Sequence, residues 1–151
     1  MRRQDREIND RKKIDDIICR SVVCRLGMSD GAEPYVVPMN FGYDGRFVYF
    51  HGAREGQKID ILRANPRVCL EFDIPGEFVV SDTACVWTMK YQSVIAHGVA
   101  EIADGPEEKR QGLSVVMAGV DPRAYTFPDE ALENVCVLRV RIESISGKES
   151  L

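Results

Sequence analysis

Hydrophobic positions change period several times along this chain, and each change marks a predicted element. Ile14, Ile17 and Ile18 fall at i, i+3 and i+4, one face of a helix over residues 10–20, and Asn9 or Asp10 stands where its cap belongs. From Ser21 the pattern turns extended. Val22–Met28 and Tyr35–Tyr43 flank the turn-forming run Ser29–Pro34 and read as a hairpin. Asp44-Gly45 then separates Tyr43 from Phe47–Phe50, and a two-residue Asp-Gly between apolar runs predicts a type I′ turn. A helix over about 56–64 follows, with Ile59 and Leu62 inside, and Asn65-Pro66 ends it because the residue before proline disfavours helical geometry.

Val68–Phe72 reads as a strand, residues 73–81 are interrupted by Pro75 and Gly76, and Gln92–Ile102 is extended. Asp104-Gly105-Pro106-Glu107-Glu108 opens another helix, with proline near its first position, acids in its first turn, and Leu113, Val116, Met117 and Val120 as an apolar stripe. Val135–Ile145 closes the pattern as a strand. Some six strands in hairpins with two or three helices predict a mainly β fold, an antiparallel barrel carrying helices. A doubly wound parallel sheet is disfavoured: Asp44-Gly45 makes two strands antiparallel, and no G-x-G-x-x-G follows a strand.

The 151 residues suit one domain spanning 1–151. Net charge is −4, from 20 basic and 24 acidic side chains, which argues against sequence-independent nucleic-acid binding. The amino-terminal basic residues alternate with acids and read as a solvated face. No apolar run reaches the roughly 18 residues of a membrane span, and no secretory signal opens the chain, so a cytoplasmic location is expected. Five cysteines lack any C-x-x-C pair and mostly lie among apolar neighbours, predicting reduced, buried thiols. His51 and His97 are isolated, and no metal site is expected.

Three segments could carry chemistry. His51-Gly52-Ala53-Arg54-Glu55-Gly56-Gln57-Lys58 runs from the end of a strand into a helix. Its glycines let backbone approach a ligand, the helix N-terminus offers unpaired N–H groups, and Lys58 adds a charge in the first turn. The spacing falls one residue short of G-x-x-x-x-G-K-[ST], and Ile59 stands where a magnesium-binding hydroxyl would be, so a mononucleotide's phosphate fits better than a nucleoside triphosphate. An ordinary loop with a solvated lysine is the alternative. In Tyr35–Tyr43, Pro38 marks an edge or bulge, and Met39, Asn40 and Phe41 could meet the edge and face of a planar ring, or simply build a barrel strand. Trp87-Thr88-Met89-Lys90-Tyr91-Gln92-Ser93-Val94 concentrates aromatics and hydroxyls, as at a cofactor rim or in an ordinary core.

These residues resemble a known family. Met1-Arg2-Arg3-x-Asp5-Arg6-Glu7-Ile8, Val37–Tyr43, Tyr49–Ala53, Glu55–Ile59, Trp87-Thr88 to Tyr91-x-Ser93-Val94 and Ser146-Gly147-Lys148 are similar in order and spacing to the nitroimidazole-resistance branch of the pyridoxamine 5'-phosphate oxidase-like proteins. The resemblance implies a six-stranded split β-barrel that binds FMN at a homodimer interface. It would set Pro38, Met39, Asn40 and Phe41 along the flavin ring and His51, Gly52 and Ala53 close to it. Gly56, Gln57 and Lys58 would meet the phosphate, and Trp87, Thr88, Tyr91, Ser93 and Val94 would approach partly from the second subunit. It also implies a catalytic role for His51, in reduction of a small acceptor such as a nitroaromatic. Gln57 departs from the commoner Gly-Lys-Lys and removes one possible phosphate cation. A non-catalytic flavin carrier or sensor, or haem binding through His51 or His97, are the alternatives. Vitamin-B6 phosphate oxidation is disfavoured, because the chain is short and no basic substrate-phosphate cluster is evident.

Overall fold

Asp10 caps the first helix: its carboxylate accepts from the Lys12 backbone N–H at 2.9 Å, and α1 spans Arg11–Arg20. The computed structural model describes residues 3–151, so Met1 and Arg2 of the amino-terminal motif lie outside the described residues. The strands are β1 (Glu7–Ile8), β2 (Cys24–Ser29), β3 (Pro34–Met39), β4 (Gly42–Tyr43), β5 (Phe47–Gly52), β6 (Arg67–Val79), β7 (Thr88–Ile102) and β8 (Cys136–Ser150). The remaining helices are α2 (Gln57–Ala64), α3 (Pro106–Ala118) and α4 (Asp129–Glu133).

All strand pairs are antiparallel, in the order β3-β2-β6-β7-β8-β5-β4, with β1 added to β8. The two outermost strands, β3 and β4, are joined by Asn40-Phe41 alone. Three peptide steps reach no more than roughly 11 Å. The sheet must therefore curl until its edges almost meet, giving a barrel split between β3 and β4. Leu26, Phe50, Leu70, Phe72, Val94 and Val140 fill its interior without solvent exposure, and Ile17 and Ile18 of α1 join the same core. Helix α3 packs on β4 and β5, and Gly42 permits the approach: a Cβ there would lie 2.5 Å from the Val115 carbonyl.

The mainly β split barrel agrees with the sequence reading, but the strand count is corrected. Eight strands replace the expected six, because two-residue β1 and β4 pair with β8 and β5. Strand β6 also runs through the proline- and glycine-interrupted stretch to Val79, absorbing it as a register shift between Pro75 and Phe78. Long-range pairing with β7 thus overrides a local signal for irregularity. The Asp44-Gly45 turn shifts by one residue. Asp44 N–H donates to the Phe47 carbonyl, leaving Gly45-Arg46 as the central pair. Gly45 has φ of 92°, but no non-glycine residue among those described has a positive φ, so the central pair lacks the two positive φ values of type I′.

Pro38 sits on β3, an outermost strand, where its missing N–H costs no ladder bond on the open side. In α3, Gly112 and Val116 form the buried face, and Val120 is 72% exposed because the helix has already ended at Ala118. The cysteines are all free, but only Cys24 and Cys136 are buried; Cys69 is half-buried, and Cys19 and Cys85 are exposed. Among the described residues no helix is long and apolar enough to cross a membrane.

Candidate functional site

Gly56 occupies the N-cap of α2 with φ of 119°, a conformation that L side chains rarely adopt. Its carbonyl accepts from Ile59 and Asp60. As no side chain caps this helix end, the first-turn N–H groups of Gln57 and Lys58 remain available to an anion.

The Lys58 side chain folds back over the end of β5. Its Nζ lies 3.5 Å from Met39 Sδ, and a Cβ added to Gly52 would sit 3.1 Å from it. Gly52 therefore makes the space the ammonium occupies. Lys58 is half-buried and forms no ion pair among the described residues, and burial pulls its pKa below the ordinary lysine value. A partly desolvated ammonium whose side-chain hydrogen-bond partner among the described residues is a thioether, beside an uncapped helix start, is suited to an oxyanion. Met39, Gly52, Gly56, Gln57 and Lys58 are thus brought together at the open end of the barrel, from β3, β5 and α2.

Other expected residues surround this point less closely. Pro38 and Asn40 are exposed on and beside the β3 edge. Phe41 packs edge-on against Phe72, with ring centroids 4.9 Å apart, and lines a cleft of about 540 Å³ between α1, β4 and α3. His51 is exposed opposite Val137 on β8, and Ala53 is exposed in the loop that follows. His97 lies on β7, opposite Ser144 on β8. Among the described residues no three His, Cys, Asp or Glu side chains gather as a metal would require.

The third segment lies elsewhere in the same chain. Strand β8 pairs with β5 at Val137 and with β7 at Lys148 and Ser150, opposite Ser93 and Tyr91. Along β8 these pairings lie eleven to thirteen residues apart, but around the barrel the route is shorter: Met39 pairs with Cys24, Cys24 with Phe72 and Phe72 with Val94, three ladder steps of about 5 Å each. Trp87 is 53% exposed, its Nε1–H donating to the Ser81 carbonyl at 2.5 Å. Thr88 is exposed and begins β7. Val94 is fully buried in the barrel, so only its backbone could meet a ligand.

Tyr91 has the most distinctive environment of this group. Burial is the largest single influence and raises its pKa, but the interactions of the Lys148 and Arg6 cations together outweigh it and bring the pKa below the ordinary phenol value. The Lys148 ammonium lies 5.7 Å from its ring centroid. The sequence reading assigned Arg6 and Lys148 no role; only the pairing of β1 and β7 with β8 brings them to Tyr91.

Comparisons with known proteins agree with this architecture. A candidate 5-nitroimidazole antibiotic resistance protein of Bacteroides thetaiotaomicron is 34% identical, with a TM-score of 0.86, over 95% of this chain and 86% of that one. An FAD- and haem-binding protein of Mycobacterium smegmatis superposes with a TM-score of 0.87 over 96% of this chain and 73% of the other; at 18% identity that likeness shows the fold. The uncharacterized protein RA0666 of Rhizobium meliloti is 31% identical over 61 residues, and the match spans 40% of each chain. Residues 10–149 match the family described as pyridoxamine 5'-phosphate oxidase. The open-ended antiparallel barrel, the sequence identity and the extent of that match together make this chain a member of the pyridoxamine 5'-phosphate oxidase-like family.

Proposed function

We propose that this chain binds FMN and acts as a flavin-dependent oxidoreductase on a small acceptor such as a nitroaromatic, in a homodimer whose second copy completes each site. The carrying observation is Lys58, a half-buried ammonium without an ion-pair partner among the described residues, held over Gly52 at the uncapped start of α2. An anionic phosphate satisfies both that charge and the free N–H groups of the first turn. The flavin-binding and nitroimidazole-linked relatives support the same reading.

Bound flavin would supply the electron-transfer chemistry, and the protein contributes orientation and charge. Gly56, Gln57 and Lys58 hold the phosphate. Pro38, Met39, Asn40 and Phe41 flank the ring from the β3 edge, and Gly52 and Ala53 leave room beside it. His51, exposed at the end of β5, can donate a proton to the acceptor. Trp87, Thr88, Tyr91, Ser93 and Val94 approach the site partly from the second copy. Exposed Phe78, Val80, Val86 and Trp87 cluster around the β6–β7 tip and give that copy an apolar surface to cover.

The decisive experiment titrates flavin-free protein with FMN and riboflavin. FMN should bind at least tenfold more tightly; equal affinities would remove the phosphate from the account. Anaerobic NAD(P)H with a nitroaromatic acceptor then separates an enzyme from a flavin carrier, because a carrier shows no turnover. In the enzyme, His51→Ala lowers kcat and leaves FMN affinity unchanged; unaltered kcat would end its proposed role.

A further inference from the structure

A second cationic site adjoins the first. Between α2, α3 and the start of β8 lies a cleft of about 170 Å³, lined by Arg54, Arg63 and Lys109 together with Ile59, Cys136 and one carboxylate, Asp104. Among the described residues none of the three cations forms an ion pair. Arg54 Nη1 donates to the Glu133 carbonyl at 2.7 Å and Lys109 Nζ to the Leu132 carbonyl at 2.8 Å. Those contacts fix the two side chains from the α4 side while using one of five guanidinium donors and one of three ammonium donors. Arg63 lies one helical turn beyond Ile59, on the same face of α2. Burial raises the Cys136 thiol pKa, while Lys58, Lys109, Arg63 and Arg54 pull it down, so four cations converge around one sulfur.

Cys136 pairs with Gly52 across the β5–β8 ladder, and the Lys58 ammonium lies over Gly52. Adjacent strands are about 5 Å apart. The cleft and the Lys58 position are therefore neighbouring anion sites on two flanks of the α2 start. At 170 Å³ the cleft is smaller than the roughly 300–1,000 Å³ that holds a whole ligand. It suits one charged group of a larger molecule.

We infer that this cleft binds the phosphate or diphosphate of a dinucleotide through Arg54, Arg63 and Lys109, separately from the mononucleotide phosphate at Lys58. The inference builds on the proposed flavin site but is tested apart from it. Calorimetric titration of the flavin-free, full-length Lys58→Met variant with inorganic pyrophosphate reads the cleft without its neighbour. Binding that weakens at least tenfold when Arg63→Gln and Lys109→Gln are added supports the site; no binding, or binding those changes leave intact, overturns it. Circular dichroism and the melting temperature establish that the variants fold, and Arg63→Gln alone, which removes no hydrogen bond or ion pair among the described residues, keeps the test usable if Lys109→Gln does not fold.

Two further titrations, on chains retaining Lys58, identify the source of the group. FAD binding at least tenfold tighter than FMN, with the advantage lost in Arg63→Gln, identifies a flavin dinucleotide. Equal FAD and FMN affinities, with NADPH binding to the FMN-loaded chain weakened tenfold by Arg63→Gln, identify the nicotinamide donor. If neither dinucleotide distinguishes Arg63→Gln from the native chain, the cofactor assignment is overturned. Failure of FMN itself to bind defeats the proposed function and leaves the pyrophosphate result separately readable.

Discussion

The open end of the barrel and the β6–β7 arm both carry chemically distinctive side chains, but they differ in how much apolar surface they leave in water. At the barrel end, β3, β5 and α2 converge, so Met39, Gly52 and Lys58 meet within a few ångströms. On the arm, Tyr91 lies on β7 and Trp87 just before it, and Phe78 is 69% and Val80 67% exposed at the end of the paired β6. One region satisfies its geometry internally. The other leaves apolar surface in water. The contrast teaches that a short loop can preassemble an anion site, whereas a strand-borne apolar platform offers surface for a second body to cover.

The sharpest way to break the comparison is Lys58→Met. A charge-assisted hydrogen bond is worth about 1.5–3 kcal/mol, so FMN affinity should fall roughly 10- to 150-fold by fluorescence titration. An unchanged affinity would mean that the barrel end is not the phosphate site. Trp87→Ala tests the other region. A central aromatic contributing about 2 kcal/mol to an interface should raise the dimer dissociation constant some 30-fold in sedimentation equilibrium, with little change in the far-UV spectrum. A native chain that sediments as a monomer would return the arm to a solvent-exposed role.

A smaller effect concerns pH. Burial lowers the folded-state pKa of Lys58, so keeping it charged costs stability at every pH below that folded value. Between the folded value and the ordinary lysine value the unfolded chain binds more protons, and the cost is relieved as pH rises. Flavin-free Lys58→Met should therefore melt slightly above the native chain at pH 7, and the difference should vanish as the unfolded-state lysine also deprotonates. FMN binding has the opposite dependence and weakens as Lys58 loses its proton. The smallest change is a gain. Gln57→Lys restores a second cation at an exposed first-turn position, where such pairs are worth about 0.2–1 kcal/mol. FMN affinity should rise no more than about fivefold.

Much of the fold was legible because its signals are local. The isoleucine spacing and Asp10 produced α1, Pro106 and the following acids produced the start of α3, and Asn65-Pro66 ended α2 where expected. The Pro75-Gly76 stretch was misleading, because a partner strand can absorb an irregularity as a bulge when the rest of the ladder is strong. Arg6 and Lys148 were invisible as neighbours of Tyr91, since only pairing through β8 brings residues so far apart in sequence together. Arg54, Arg63 and Lys109 were equally silent, scattered singly among other charges.

The amino-acid sequence by itself determined the element types, the strand-to-helix loop with its glycines and lysine, and the family resemblance, because each depends on residues near one another in the chain. Tertiary structure alone decided that the Lys58 ammonium rests over Gly52 beside a thioether, that β3 and β4 become the two sides of one split, and that Arg6 and Lys148 gather at Tyr91. Those facts depend on strand order and register, which bring distant residues together or hold them apart, and no local period along the chain encodes that order.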